Sequence, residues 1–148
     1  MHALLSKVPT AARLLLGTIF VVFGLNGFLS FLPMPPMPEA AGTFLGALVG
    51  TGYLMTLVKA TEVAVGVLLL ANRFVPLALA LIAPIVVNIV LFHAVLAPAG
   101  LALPLVVLAL ELFLAWSYRD AFAPMLRAKT EPTAREADAR AETQHAHA

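Results

Sequence analysis

Cysteine is absent from the chain, which removes thiol redox chemistry, disulfides, thiolate metal ligation and iron–sulfur clusters from what this polypeptide can do alone. Any redox role must rest on a bound cofactor or a partner. Charge is scarce as well. Only 11% of the 148 residues are Asp, Glu, Lys or Arg, and 61% are hydrophobic, whereas roughly a quarter of an ordinary sequence is charged. Mean hydropathy is +0.97. There are too few polar residues to cover a soluble domain, so the excess apolar surface must face lipid. The net charge of +1 comes with no basic face of the kind that binds nucleic acid, and nucleic acid is not an expected partner.

A local absence sets orientation. Residues 33–51 and 97–100 contain no Lys or Arg, while Lys7, Arg13, Arg73, Arg119, Arg127 and Lys129 cluster near the opposite ends of the apolar runs. Basic residues favour the cytoplasmic side. Four runs of about 20 residues match the thickness of a hydrocarbon core. They fall at about 11–32, 52–71, 74–96 and 101–118. Continuous Leu/Ala-rich runs favour helices, since membrane strands alternate and are half as long. The expected fold is therefore all-α, an integral membrane four-helix bundle with up-down topology and both termini in the cytoplasm. The short turn Asn72-Arg73 and the break at Pro98-Ala99-Gly100 force neighbouring spans to run antiparallel.

The apolar run after Lys7 and Arg13 exceeds a signal-peptide core, and Pro38-Glu39-Ala40 is a poor cleavage site, so the first helix is expected to be retained. Pro33-Met34-Pro35-Pro36-Met37-Pro38 cannot continue a helix, because proline has no amide donor and restricts its predecessor. Beyond it, Gly42, Gly46 and Gly50 share one helical face. Two readings stand: a short interfacial or re-entrant helix packed on the bundle, or a Gly-rich loop. Trp116, Tyr118 and Phe122 read as an aromatic anchor at the cytoplasmic interface. The membrane domain spans 1–129, and residues 130–148 read as a disordered cytoplasmic tail.

Ionisable side chains inside apolar spans are costly and mark sites where function should be sought. Lys59 and Glu62 lie three apart in the second run and Glu111 lies in the fourth. At about 1.5 Å per residue, Lys59 falls just outside the midplane and Glu62 near it, with Glu111 in the same zone. Asn26 and Asn88 fall in the outer halves of their spans and His93 nearer the outer surface. All four spans thus place a polar group in one broad layer. Lys59, Glu62 and Gly66 share a helix face, so the charges can pair and Gly66 admits a neighbouring helix. Pro84 leaves the Ala80 carbonyl without its donor, and Asn88 is expected either to cap freed groups there or to face the central site. If Glu62 pairs with Lys59, Glu111 is the proton-bearing member of the set. The alternative is that these groups only link helices by hydrogen bonds, each worth about 1 kcal/mol. Glu62, Glu111 and His93 lack the local spacing of a known metal motif, so no metal site is expected.

The order Arg13-x-x-x-Gly17, Gly24-x-Asn26, Thr51-Gly52-Tyr53, Lys59-x-x-Glu62-x-x-x-Gly66 and Asn88-x-x-x-Phe92-His93 resembles the DoxX family of small bacterial membrane proteins over about residues 10–127. The resemblance implies a four-helix inner-membrane protein. Some members are linked to membrane oxidoreductase assemblies, including thiosulfate:quinone oxidoreductase subunits and a complex of oxidative-stress defence. For this chain it implies an accessory subunit acting with a membrane or soluble redox partner, with a quinone or lipid-like ligand in the polar layer. No cofactor is dictated by the residues themselves. The competing expectations are a small transporter or proton relay, which would need to form a homo-oligomer, and a non-catalytic membrane scaffold.

Overall fold

The computed structural model describes residues 7–33 and 36–130. The expected tail beyond Thr130, and Met34-Pro35 of the proline segment, lie outside the described residues. Among the described residues six helices follow in order: α1 (Val8–Leu29), α2 (Glu39–Gly50), α3 (Leu54–Leu70), α4 (Val75–Val95), α5 (Ala102–Ser117) and α6 (Arg119–Phe122). Single 3₁₀ turns occupy Pro98–Gly100 and Ala123–Leu126. There is no strand among the described residues.

Helix ends differ from the expected spans where side chains cap the backbone. The first span stops at Leu29 rather than residue 32, since Ser30 turns left-handed (φ 50°). The Asn26 carboxamide then accepts the Leu32 amide at 2.6 Å, satisfying a donor beyond the helix end. Thr51 divides α2 from α3: its hydroxyl donates to the Leu48 carbonyl at 2.7 Å and accepts the Leu54 amide at 3.0 Å. Gly52 beside it takes φ 77°, a conformation that a side chain would strain. The expected tight turn at Asn72-Arg73 is present. Asn72 is left-handed (φ 54°), and paired bonds from the Arg73 amide to the Leu68 carbonyl and from the Asn72 amide to the Leu69 carbonyl close α3 in a Schellman motif. Helix α4 runs unbroken through Pro84.

Of the two readings for residues 42–50, the helix is the one observed, but its glycine face is not the packing face. A β-carbon at Gly42, Gly46 or Gly50 would meet nothing within 4 Å. Instead α2 docks through fully buried Ala41 and through Phe44, whose ring centre lies 5.7 Å from that of Phe92 on α4.

Helices α1 and α3 pack most extensively, α4 packs on both α3 and α5, and α1 touches α5. The core is built from one stripe per helix: Ala12, Leu16 and Phe20 on α1, Val65 and Leu69 on α3, Val75, Ala78, Leu79, Ile82 and Val86 on α4, Val107 and Leu114 on α5. Around it, large apolar side chains on each of these helices stay exposed, among them Leu15, Leu57, Leu91 and Leu112. A surface so apolar is compatible with a membrane surrounding. Two helices, Val8–Leu29 and Val75–Val95, are long and apolar enough to cross a membrane. The count reaches 4 if each bent pair is one span. One such pair is α2 with α3, bent by 91°, and the other is α5 with the segment Arg119–Leu126, bent by 76°.

The aromatic residues at this end take different positions. Trp116 is exposed and carries the Arg119 guanidinium 5.3 Å above its ring. Tyr118, at the bend, and Phe122 beyond it are partly buried against the core.

Candidate functional site

Three glycines let α1 and α3 approach closely, in antiparallel register. A β-carbon on Gly66 would come within 2.8 Å of the Gly17 carbonyl and of the Val21 amide, and one on Gly24 within 3.0 Å of the Val63 amide. These are backbone contacts, which cannot yield without separating the helices. One turn beyond Gly24, the stem of Lys59 lies across Gly27, where a β-carbon would fall 2.5 Å from two of its methylenes.

Draped in this way, the ammonium of Lys59 reaches along its own helix to Glu62. It donates to both carboxylate oxygens, at 2.8 and 3.0 Å. The lysine side chain is 23% exposed and the glutamate 3%, so the carboxylate is sealed inside and the ammonium forms the outer half of the pair. The expected pairing of Lys59 with Glu62, and the close approach at Gly66, are both present. Removing either member of a buried pair leaves an uncompensated charge, costing about 3–5 kcal/mol.

Outward of Lys59 lies a cleft of about 250 Å³, lined by Gly27, Phe28, Val49, Gly52, Met55, Thr56 and Lys59. The end of α1, the corner between α2 and α3, and the first turns of α3 form its walls. The 91° corner holds Val49 and Gly52 over residues that a straight helix would have carried away from them.

Glu111 occupies the core-facing stripe of α5 with Pro104, Val107 and Leu114 and is 5% exposed. Its carboxyl has no hydrogen-bond or ion-pair partner among the described residues. It sits on a helix that packs chiefly against α1 and α4, and it makes no hydrogen bond or ion pair with Lys59 or Glu62.

The remaining candidates fall elsewhere. Asn26 is committed to the end of α1 through its bond to Leu32. Asn88 is exposed, off the buried stripe of α4, so it neither joins the central group nor bonds the backbone freed by Pro84. His93 bonds the Ile89 carbonyl through Nδ1 at 2.8 Å and packs against Gly100, where a β-carbon would sit 2.8 Å from its ring. Both contacts fix the end of α4. Glu62, Glu111 and His93 do not meet as a metal-binding group among the described residues.

One buried charge escapes the functional reading of the sequence. Arg13, expected as a flanking topology signal, is buried on α1 and donates to the Leu69 carbonyl and, at 3.3 Å, to the Leu70 carbonyl. A cation there meets the last carbonyls and the negative dipole end of α3. Its position a full turn inside α1, rather than before it, is the signal that separates it from Lys7. Thr56 and Gly27 escape as well, since neither is polar enough or bulky enough to stand out in an apolar run. Comparison of the chain with protein-family models, with curated proteins and with solved structures finds no match.

Proposed function

We propose that this chain is a DoxX-like integral protein of the bacterial inner membrane that binds a quinone or lipid-like ligand at Lys59 and Glu62, as an accessory subunit of a membrane oxidoreductase. The observation that carries this reading is the Lys59–Glu62 pair at the wall of a cleft of about 250 Å³. Few other polar groups are found in so apolar a chain, and a pair closed on all sides would serve packing alone. Ligand sites commonly combine apolar walls with a small number of placed polar groups. Here Phe28, Val49 and Met55 supply the walls and the lysine supplies the donor. Lacking cysteine, the chain would leave electron transfer to a partner or to the ligand.

In this reading the lipid bilayer surrounds a four-span up-down bundle. Helices α1 and α4 cross directly, and the two bent pairs provide the other crossings. At 1.5 Å per residue α3 and α5 extend roughly 25 Å, short of a core of about 30 Å, and the bent segments complete them near the interfaces. The basic residues then place both termini in the cytoplasm. Purification in mild detergent, followed by solvent extraction and mass spectrometry, tests the ligand. A quinone or one specific lipid should co-purify with the wild-type chain and be lost from Lys59→Met. Recovery of bulk lipid alone from both proteins would count against it.

Glu111 favours a second reading, proton handling. A carboxyl that is 5% exposed and unpaired in a bilayer helix is a default functional candidate. Reconstitution in liposomes with an internal pH indicator separates the readings: proton flux abolished by Glu111→Gln supports the relay, and flux no greater than that of empty liposomes removes it.

A further inference from the structure

We propose that the cleft beside Lys59 selects a neutral, hydrogen-bond-accepting head group, such as a carbonyl-bearing ring, over an anionic one, and that Glu62 sets this choice while Thr56 supplies a second donor. The selectivity rests on the ligand-cleft reading above and narrows its chemical class. An ammonium has three N–H donors. In Lys59 the two carboxylate oxygens of Glu62 take up contacts at 2.8 and 3.0 Å, leaving at least one donor for a ligand. The charge of the ammonium is likewise matched by a carboxylate fixed directly behind it. A neutral carbonyl approaching that donor meets only the hydrogen bond. An anion approaching it also meets the Glu62 carboxylate, and among the described residues no further Lys or Arg lines the cleft to offset the repulsion. Desolvating an anion without a net positive partner is strongly unfavourable.

Thr56 stands one helical turn before Lys59 and also lines the cleft. Of the other helix hydroxyls, those of Thr61 and Ser117 bond to carbonyls one turn back at 2.9 and 2.8 Å, while those of Thr10, Thr18 and Thr43 make no such bond among the described residues. The Thr56 hydroxyl has no such bond among the described residues, so its proton is available to a ligand held between it and Lys59. The size of the cleft points the same way. At about 250 Å³ it falls below the range of about 300–1,000 Å³ that encloses a drug-sized molecule. It therefore takes a head group, with any tail lying against Phe28 and Met55 and out into the lipid.

The test uses the full chain in nanodiscs of zwitterionic lipid, with binding measured for two probes: a short-tailed benzoquinone and a fluorescent short-chain phosphatidylglycerol. The wild-type chain should bind the quinone at least about tenfold more tightly than the anionic lipid, because like charges brought together at a site are strongly disfavoured. Glu62→Gln should reverse that order by freeing the charge of Lys59. Thr56→Val, at an exposed position that the core does not need, should weaken quinone binding about fivefold, the loss expected for one hydrogen bond. Tighter wild-type binding of the anionic probe overturns the selectivity, as does a quinone affinity unmoved in Thr56→Val together with a preference unmoved in Glu62→Gln. Should Glu62→Gln fail to fold, the wild-type preference and the Thr56→Val result decide. Binding of neither probe to the wild-type chain overturns the cleft reading itself, and the selectivity with it.

Discussion

The Lys59 ammonium bonds both carboxylate oxygens of Glu62, at 2.8 and 3.0 Å, and it does so with its stem laid across Gly27 of the neighbouring helix. The pair thus depends on a residue that makes no polar contact with it. Gly27→Val should displace the lysine stem, since even a β-carbon there lies 2.5 Å from two of its methylenes. Because the stem is flexible, the fold should persist while ligand co-purification falls. Retention of ligand at the wild-type level, with the lysine displaced in the structure of the variant, would separate the pair from binding.

Glycines of the two kinds should respond in opposite ways. Gly66→Ala drives a methyl group into the Gly17 carbonyl and Val21 amide, each 2.8 Å away, and overpacking of this kind costs about 1–3 kcal/mol. Gly46→Ala meets open space and should be neutral or stabilising by about 0.5–1 kcal/mol, the helix preference of alanine over glycine. Thermal unfolding in one detergent, side by side, gives the sign of each change.

Arg13 should prove structural. Arg13→Met removes the donor from the Leu69 and Leu70 carbonyls, and hydrogen bonds to a charged group contribute about 1.5–3 kcal/mol. Midpoint stability should drop by that order while ligand co-purification, per folded molecule, stays unchanged. Loss of ligand without loss of stability would instead place Arg13 in the binding machinery.

The cysteine-free sequence provides a clean background for topology. A single cysteine replacing Ala71, at the α3–α4 turn, should react with a membrane-impermeant thiol reagent only after the cytoplasmic face is opened. One replacing Ala99, in the Pro98–Gly100 turn, should react in intact cells with a permeable outer membrane. Labelling of both from the same side contradicts the proposed up-down, N-in arrangement.

Much of the helical layout can be read from the sequence because length and turn residues are local signals. The Asn72-Arg73 turn is an example, where Asn tolerates the left-handed position that closes α3. The Lys59–Glu62 pair is legible for the same reason, its members being three apart on one helix. Position around a helix axis is not. Rise per residue gives depth, which groups Asn88 with the other polar residues in one broad layer, yet it lies outside the stripe Val75, Ala78, Leu79, Ile82 and Val86. In a soluble helix polar residues would mark the outer face. Here α4 carries exposed Leu77, Leu81, Val87 and Leu91 on that face, and the periodicity that reports orientation disappears. The role of Arg13 is hidden for a related reason, since its partners are backbone carbonyls of α3, far away in sequence and without side-chain identity.

The most direct measurement is the shift in thermal unfolding midpoint on adding a short-tailed benzoquinone to the purified wild-type chain and to Lys59→Met, in the same neutral detergent. A ligand that binds only the folded state raises the midpoint. The wild-type chain is predicted to be stabilised in a saturable manner and Lys59→Met to show no shift. Equal shifts in the two proteins would contradict a ligand site at the Lys59–Glu62 pair.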